Sequence, residues 1–118
     1  MAKRRVVFKK DPNWIWFLPY RRGEFTDGEA PTLLTLKVFS DTQINLAWTD
    51  NSANEEGYSI ERGLDGINFA EIGTVLADIV LYVDATCSPN TLYYYRVRAY
   101  KGGFYSDYSN VESAATLP

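Results

Sequence analysis

From Leu34 onward, apolar and polar residues alternate in short runs separated by turn-forming residues. Leu34, Leu36 and Val38 alternate with Thr35 and Lys37, and Ser40-Asp41-Thr42 breaks the run. Ile44, Leu46 and Trp48 alternate with Asn45 and Ala47 ahead of a polar loop, Asp50 to Gly57. Tyr58 to Arg62 reads as a third strand, closed by the tight turn Gly63-Leu-Asp-Gly66. Phe69, Ile72 and Val75 mark a fourth strand, and Ile79 to Val83 a fifth, followed by a connection from Asp84 to Pro89. The longest run is Asn90 to Tyr100. Tyr93, Tyr95, Val97 and Ala99 fall on one face of it, and Tyr94, Arg96, Arg98 and Tyr100 on the other. Lys101 to Phe104 reads as a hairpin loop and Tyr105 to Ala115 as a seventh strand. Period two without a sustained helical stripe predicts pleated strands with one face inward. Seven short strands at this spacing predict an all-β, two-sheet sandwich.

Residues 1–30 break this pattern. Half of residues 1–10 are Lys or Arg and none is acidic. Residues 13–20, Asn-Trp-Ile-Trp-Phe-Leu-Pro-Tyr, are aromatic-rich, and residues 22–31 have the Gly, Asp and Pro density of a linker. The expected division is an anchoring arm and linker over 1–30 and a folded domain over 31–118. The net charge of −3 hides an asymmetry. Residues 1–30 carry seven basic and four acidic side chains, and the remainder five basic and eleven acidic, which suggests two jobs.

Chemistry narrows the function. There is no His and a single Cys, which removes His-based triads and any internal disulfide. No phosphate-binding Gly-rich loop, paired-Cys metal spacing or Gly-x-Ser-x-Gly is present. No catalytic role, cofactor or metal is therefore expected. Asp50, Asn51, Asn54, Glu55 and Glu56 offer oxygens to a cation such as Ca²⁺. They lack the EF-hand spacing and read better as loop chemistry. No run approaches the ~18 apolar residues of a membrane span. The basic start is not followed by a signal-like core and cleavage site, so the expected place of synthesis is the cytoplasm without a cleaved signal.

The run from Pro31 resembles a fibronectin type III domain of the bacterial and phage kind. The residues that carry the resemblance are Leu46-Ala-Trp48-Thr-Asp50, Glu56-Gly-Tyr58-Ser-Ile60-Glu-Arg62, Asp65-Gly66 with Phe69, Tyr82-Val-Asp84, Pro89 to Tyr100, and Tyr108-Ser-Asn110. It covers about residues 31–118 and leaves 1–30 unmatched. It implies a seven-stranded, immunoglobulin-like sandwich with an extended N-terminal arm. Its implied core is Leu46, Trp48, Tyr58, Ile60, Tyr93, Tyr95 and Val97, with Trp48 between the sheets. Tyr93 fits the tyrosine corner, its hydroxyl bonded back to the preceding connection. Cys87 stands where the family has Leu, as a small buried hydrophobe. Val80 and Tyr82 would point inward, leaving Leu81 and Val83 on an outer face near Leu33, either as scattered surface aliphatics or covered by residues 13–20 or a partner.

Three surfaces are candidates for contact. Tyr94, Arg96, Arg98 and Tyr100 form a stripe that is either a binding face or an ordinary sheet face. Phe104 and Tyr105 sit near a loop tip, where recognition is often placed. In the arm, Arg4 and Arg5 suit an acidic protein surface better than nucleic acid, since the whole chain is acidic. Trp14, Trp16, Phe17 and Tyr20 suit anchoring. Burying the three rings of Trp14, Trp16 and Phe17 would cover roughly 500–600 Å². At about 25 cal/mol per Å² that is on the order of 13–15 kcal/mol gross, less the cost of association and ordering. The segment either folds back on its own sandwich or docks on another subunit. The reading that joins these features is an accessory phage virion protein, located on the virion and held to capsid or tail proteins, or to copies of itself, by its arm. Weak contact with cell-surface glycans is a further expectation. The alternatives are a bacterial cell-surface or secreted adhesion module and a small cytoplasmic protein–protein interaction domain.

Overall fold

The computed structural model describes residues 29–118. Within them the chain forms eight strands. They are β1 (Thr32–Val38), β2 (Ile44–Thr49), β3 (Gly57–Gly63), β4 (Ala70–Leu76), β5 (Leu81–Asp84), β6 (Leu92–Lys101), β7 (Phe104–Tyr105) and β8 (Glu112–Ala115). One sheet has the order β1-β2-β5, and the other runs β4-β3-β6, with both β7 and β8 on the far side of β6. All pairings are antiparallel.

The alternation seen along the chain places the core. Ile44, Leu46 and Trp48 of β2 face Tyr58 and Ile60 of β3 and Tyr93, Tyr95, Val97 and Ala99 of β6, all buried. The Trp48 ring meets Tyr58 edge-on, 5.5 Å between centroids, a favoured aromatic geometry. Val80 and Tyr82, next to β2 in the same sheet, pack against this core as well. Tyr82 also closes the open flank of the sandwich, donating its hydroxyl to the Ile72 carbonyl at 3.2 Å. Gly73 is required there, because a Cβ would lie 2.3 Å from that hydroxyl oxygen. At the opposite flank one carboxamide joins the sheets. Asn110 accepts from the Leu34 N–H at 2.9 Å and donates to the Leu34 carbonyl at 3.1 Å.

Several strand ends differ by a residue or two from those the pattern predicts, and two differences bear on the sites. The fifth strand starts at Leu81 and ends on Asp84, so Asp84 is part of the ladder and not of the following connection. The seventh strand is divided into β7 and β8. Between them Ser106 and Ser109 replace strand pairing with side-chain bonds. The Ala99 N–H donates to the Ser106 Oγ at 2.9 Å and the Val97 N–H to the Ser109 Oγ at 3.0 Å. Their own N–H groups return to the Ala99 and Val97 carbonyls. Serine hydroxyls compete well with backbone acceptors at such positions.

The topology separates two ends. The chain enters at Ala30, whose carbonyl accepts from Asn51 Nδ2 at 3.0 Å. Loop 50–56, connection 77–80 and the Gly102-Gly103 turn lie at that same end. Loops 39–43, 64–69 and 85–91 lie at the other, where the chain finishes. The expected anchoring residues Arg4, Arg5, Trp14, Trp16, Phe17 and Tyr20 lie outside the described residues. Among those described, no helix is long and apolar enough to cross a membrane.

Candidate functional site

The outer face of the larger sheet is built on Glu61. This carboxylate lies in β3 opposite Arg96 in β6 and is buried. Arg96 Nε donates to one of its oxygens at 2.8 Å. Arg98 pairs with the other at 3.6 Å, and the Tyr108 hydroxyl donates to it at 2.9 Å. The guanidinium groups alternate with rings. Arg96 lies 4.2 Å from the Phe69 centroid and 3.7 Å from that of Tyr108. Arg98 follows, 4.7 Å from Tyr108 and 3.7 Å from Tyr105. Cation–π contacts of this kind strengthen as water is removed. Burial, and then the bond to Glu61, pushes the Tyr108 phenol up.

The stripe expected as a contact surface is therefore half-buried and largely engaged internally. Arg96 and Arg98 serve Glu61 and three rings. Tyr94 lies against the turn at Gly66, and the Tyr100 hydroxyl lies close over Gly57. Phe104 and Tyr105 remain exposed, with Arg98 over the Tyr105 ring. Glu61, Phe69 and Tyr108 also belong to this ladder, and Glu61 and Phe69 carry no local signal of it. A usable signal did exist: Tyr105-Ser106 and Tyr108-Ser109 repeat three residues apart. Each serine turns in to the β6 backbone, and each tyrosine lies on an arginine. Glu61→Ala is expected to lower stability by roughly 1.5–3 kcal/mol, the worth of hydrogen bonds to a charged group. Urea titration measures this, and the lost Tyr108 bond should appear as a lower phenol pKa in ultraviolet titration.

At the entry end, Asp50, Glu55 and Asp78 bring carboxylate oxygens within 4.8 Å of one another. Oxygens alone could suit a hard cation, but two of these groups already fasten loops. Asp50 accepts from the Ser52 N–H at 2.9 Å and from the Tyr58 hydroxyl. Glu55, buried, accepts from the Asp78 N–H at 2.9 Å. Of the other oxygen donors named from the sequence, Asn51 holds Ala30 and Thr32, and Glu56 accepts from the Gly102 N–H at 3.0 Å. Asn54 is exposed and outside the cluster. Burial, with the Asp50 bond next, raises the Tyr58 phenol far above its ordinary range.

The third cluster is a polar centre inside the sandwich. Asp84 Oδ2 accepts from Arg62 at 2.9 Å and from the Tyr95 hydroxyl at 2.6 Å. Its Oδ1 accepts from the Thr86 hydroxyl at 2.6 Å and the Thr86 N–H at 3.1 Å. Burial pushes this carboxyl up, but the bonds from Thr86, Tyr95 and Arg62 outweigh it and hold it at about 2. Beside it the Tyr93 oxygen accepts from the Ser88 N–H at 2.7 Å, and Arg62 lies over the Tyr93 ring at 4.7 Å. Cys87 is buried with its Sγ 3.4 Å from the Tyr95 hydroxyl. Burial raises its thiol pKa, so the nucleophilic thiolate is scarce. A thiol reagent should leave Cys87 unlabelled in the native chain at neutral pH and label it fully in denaturant, which mass spectrometry will show.

No protein-family model matches the sequence, and a search of curated proteins finds no similar sequence. Solved structures do match. The FN1–FN3 domains of chicken CNTN1 give a TM-score of 0.69 at 23% identity, over 77% of this chain and 31% of that one. An Fn3-like protein from Clostridium thermocellum gives 0.66 at 24%, over 75% and 92%. A β-1,2-glucanase from Parabacteroides distasonis gives 0.71 at 26%, over 79% and 13%. The fold is a fibronectin type III-like sandwich. The chain spans about a third of the CNTN1 structure, and these neighbours serve unlike proteins, so the fibronectin type III-like fold alone assigns no activity.

Proposed function

We propose that the chain is a non-enzymatic display module: a fibronectin type III-like sandwich held to a larger assembly by residues 1–30. More specifically, it is an accessory phage virion protein mounted on capsid or tail subunits, or on its own copies. The observation that carries this reading is how the charged groups of the sandwich are used. Arg96, Arg98 and Arg62 are tied to Glu61 and Asp84, and at the entry end Asp50 and Glu55 fasten loops. The arm by contrast holds seven basic residues against four acidic ones. Charge of that kind brings a module onto an acidic surface and fixes its orientation.

The topology supports a direction. The arm joins at the end that bears loop 50–56 and the Gly102-Gly103 turn, so a module mounted through it turns its other end outward. Phe104 and Tyr105 would then lie beside the mount and add to that contact, in preference to a glycan site. The experiment is mass spectrometry of particles purified on a density gradient from the culture that makes this protein. The chain should band with the particles in a fixed ratio to the major subunit. A chain found only in the light fractions would remove the virion reading. The bacterial surface module would appear instead in the cell-envelope fraction.

A further inference from the structure

The two outer faces of the sandwich are finished differently. On the larger sheet, arginines, rings and Glu61 cover the strands. The outer face of β1-β2-β5 has no such cover among the described residues. Leu81 and Val83 there are 63% and 55% exposed, and Leu33 and Ile79, at the entry end of the same sheet, are 70% and 46% exposed. The register sets Leu81 beside Ala47 and Val83 beside Asn45. Leu81 and Val83 thus stand on the β5 edge strand beside the small Ala47, Ile79 comes just before that strand, and Leu33 lies on β1 at the other side of β2. The β1 edge is clasped by Asn110, but β5 is a sheet edge. Four exposed aliphatic side chains grouped on one small sheet offer a surface that an apolar segment can cover.

The chain carries a segment that fits. Trp14-Ile-Trp-Phe-Leu18 is five apolar residues in a row, within the 28 residues that precede Glu29. The described chain begins at the end of this sheet where Leu33 and Ile79 stand, its path fixed by the Asn51 bond to Ala30 and by buried Pro31. Ten residues separate Leu18 from Glu29, a reach over the eleven steps of up to about 36–40 Å. The six residues of β2 span only about 20 Å. Gly23 and Gly28 in this link allow the reversal that docking needs. Covalent linkage over so few residues sets a local concentration of about millimolar order. A second copy reaches that only in concentrated solution.

We infer that Trp14–Leu18 docks on its own sandwich, on the sheet that carries Leu33, Ile79, Leu81 and Val83. This pins the root of the arm and leaves Lys3 to Lys10 as the part that reaches a partner. The inference concerns the free chain and does not depend on any mounting partner, so it can fail or stand apart from the virion reading.

Acrylamide quenching of tryptophan fluorescence in the dilute full-length chain tests it. Trp48 is buried in the core, so it supplies the shielded baseline, measured alone in a Trp14→Phe/Trp16→Phe variant. In the wild type all three tryptophans should resist quenching. In Leu81→Lys/Val83→Lys two of them should become quenchable while the urea midpoint of the sandwich, both positions being exposed, stays close to wild type. Two quenchable tryptophans in the wild type would overturn the inference. So would shielding that survives Leu81→Lys/Val83→Lys, or shielding that fades on dilution as light scattering shows a dimer giving way to monomer, which would place the segment on a second copy.

Discussion

Asp84→Ala is expected to lower the stability of the sandwich by about 3–5 kcal/mol, the loss found when one partner of a buried charge pair is removed. Asp84 is 2% exposed. Its removal leaves the Arg62 guanidinium, the Tyr95 hydroxyl and both Thr86 donors without their acceptor at once. For a domain whose total stability is on the order of 5–15 kcal/mol, this approaches unfolding. The same group sets an acid dependence. Its carboxyl is held at about 2 against an ordinary value near 4. A depressed folded-state pKa contributes stability that is complete above the unfolded value and is lost as pH falls through the folded one. The contribution, of order 2 kcal/mol, should therefore be full above about pH 4 and fade toward pH 2. Asp84→Asn keeps the shape and loses the charge. Its deficit against the wild type, read by urea titration, should shrink over that window, whereas the deficit of Asp84→Ala should persist in part, because its cavity remains.

Trp48→Ala should cost about 3–5 kcal/mol, the usual range for emptying a buried aromatic site. The ring lies between the two sheets and touches Tyr58 edge-on, so its loss opens a cavity that neither sheet can close without moving the ladder. The indole N–H is buried and has no hydrogen-bond partner among the described residues. Trp48→Phe, which removes that donor while keeping a ring, should lose much less than Trp48→Ala. Chemical denaturation of the three proteins orders them. Similar losses for the Phe and Ala variants would mean that the indole's full volume, and not a ring as such, is what the site requires.

Much of the fold was legible because period two is a strong signal when the partner strands share it. β2 and β6 show their buried faces directly in Leu46–Trp48 and Tyr93–Ala99, whereas Ile79 to Val83 is apolar at every position, so the outward positions of Leu81 and Val83 came from the fibronectin type III resemblance and not from alternation. What the chain does not show locally is pairing across strands. Glu61 meets Arg96 and Tyr108 from distant parts of the sequence, so nothing beside Glu61 marks it as a buried hub. Asp84 looks like the start of a connection, because a carboxylate at a strand end is ordinary until Arg62, Tyr95 and Thr86 are seen around it. The divided last strand was misread for a related reason. Ser106 and Ser109 look like solvent-facing strand residues, yet their hydroxyls take over the hydrogen bonds of Val97 and Ala99. The arginine stripe on β6 reads as exposed in sequence and is half-buried in the fold, because Tyr105 and Tyr108 return over it.

The account rests on a sandwich that holds itself together and an arm that makes the attachment. Its most direct test is particle retention of the full chain against a chain lacking residues 1–30, each first shown to unfold cooperatively. The full chain should co-sediment with purified particles, and the shortened chain should stay in the supernatant while remaining folded. Equal retention of both would put the attachment on the sandwich itself and contradict the account.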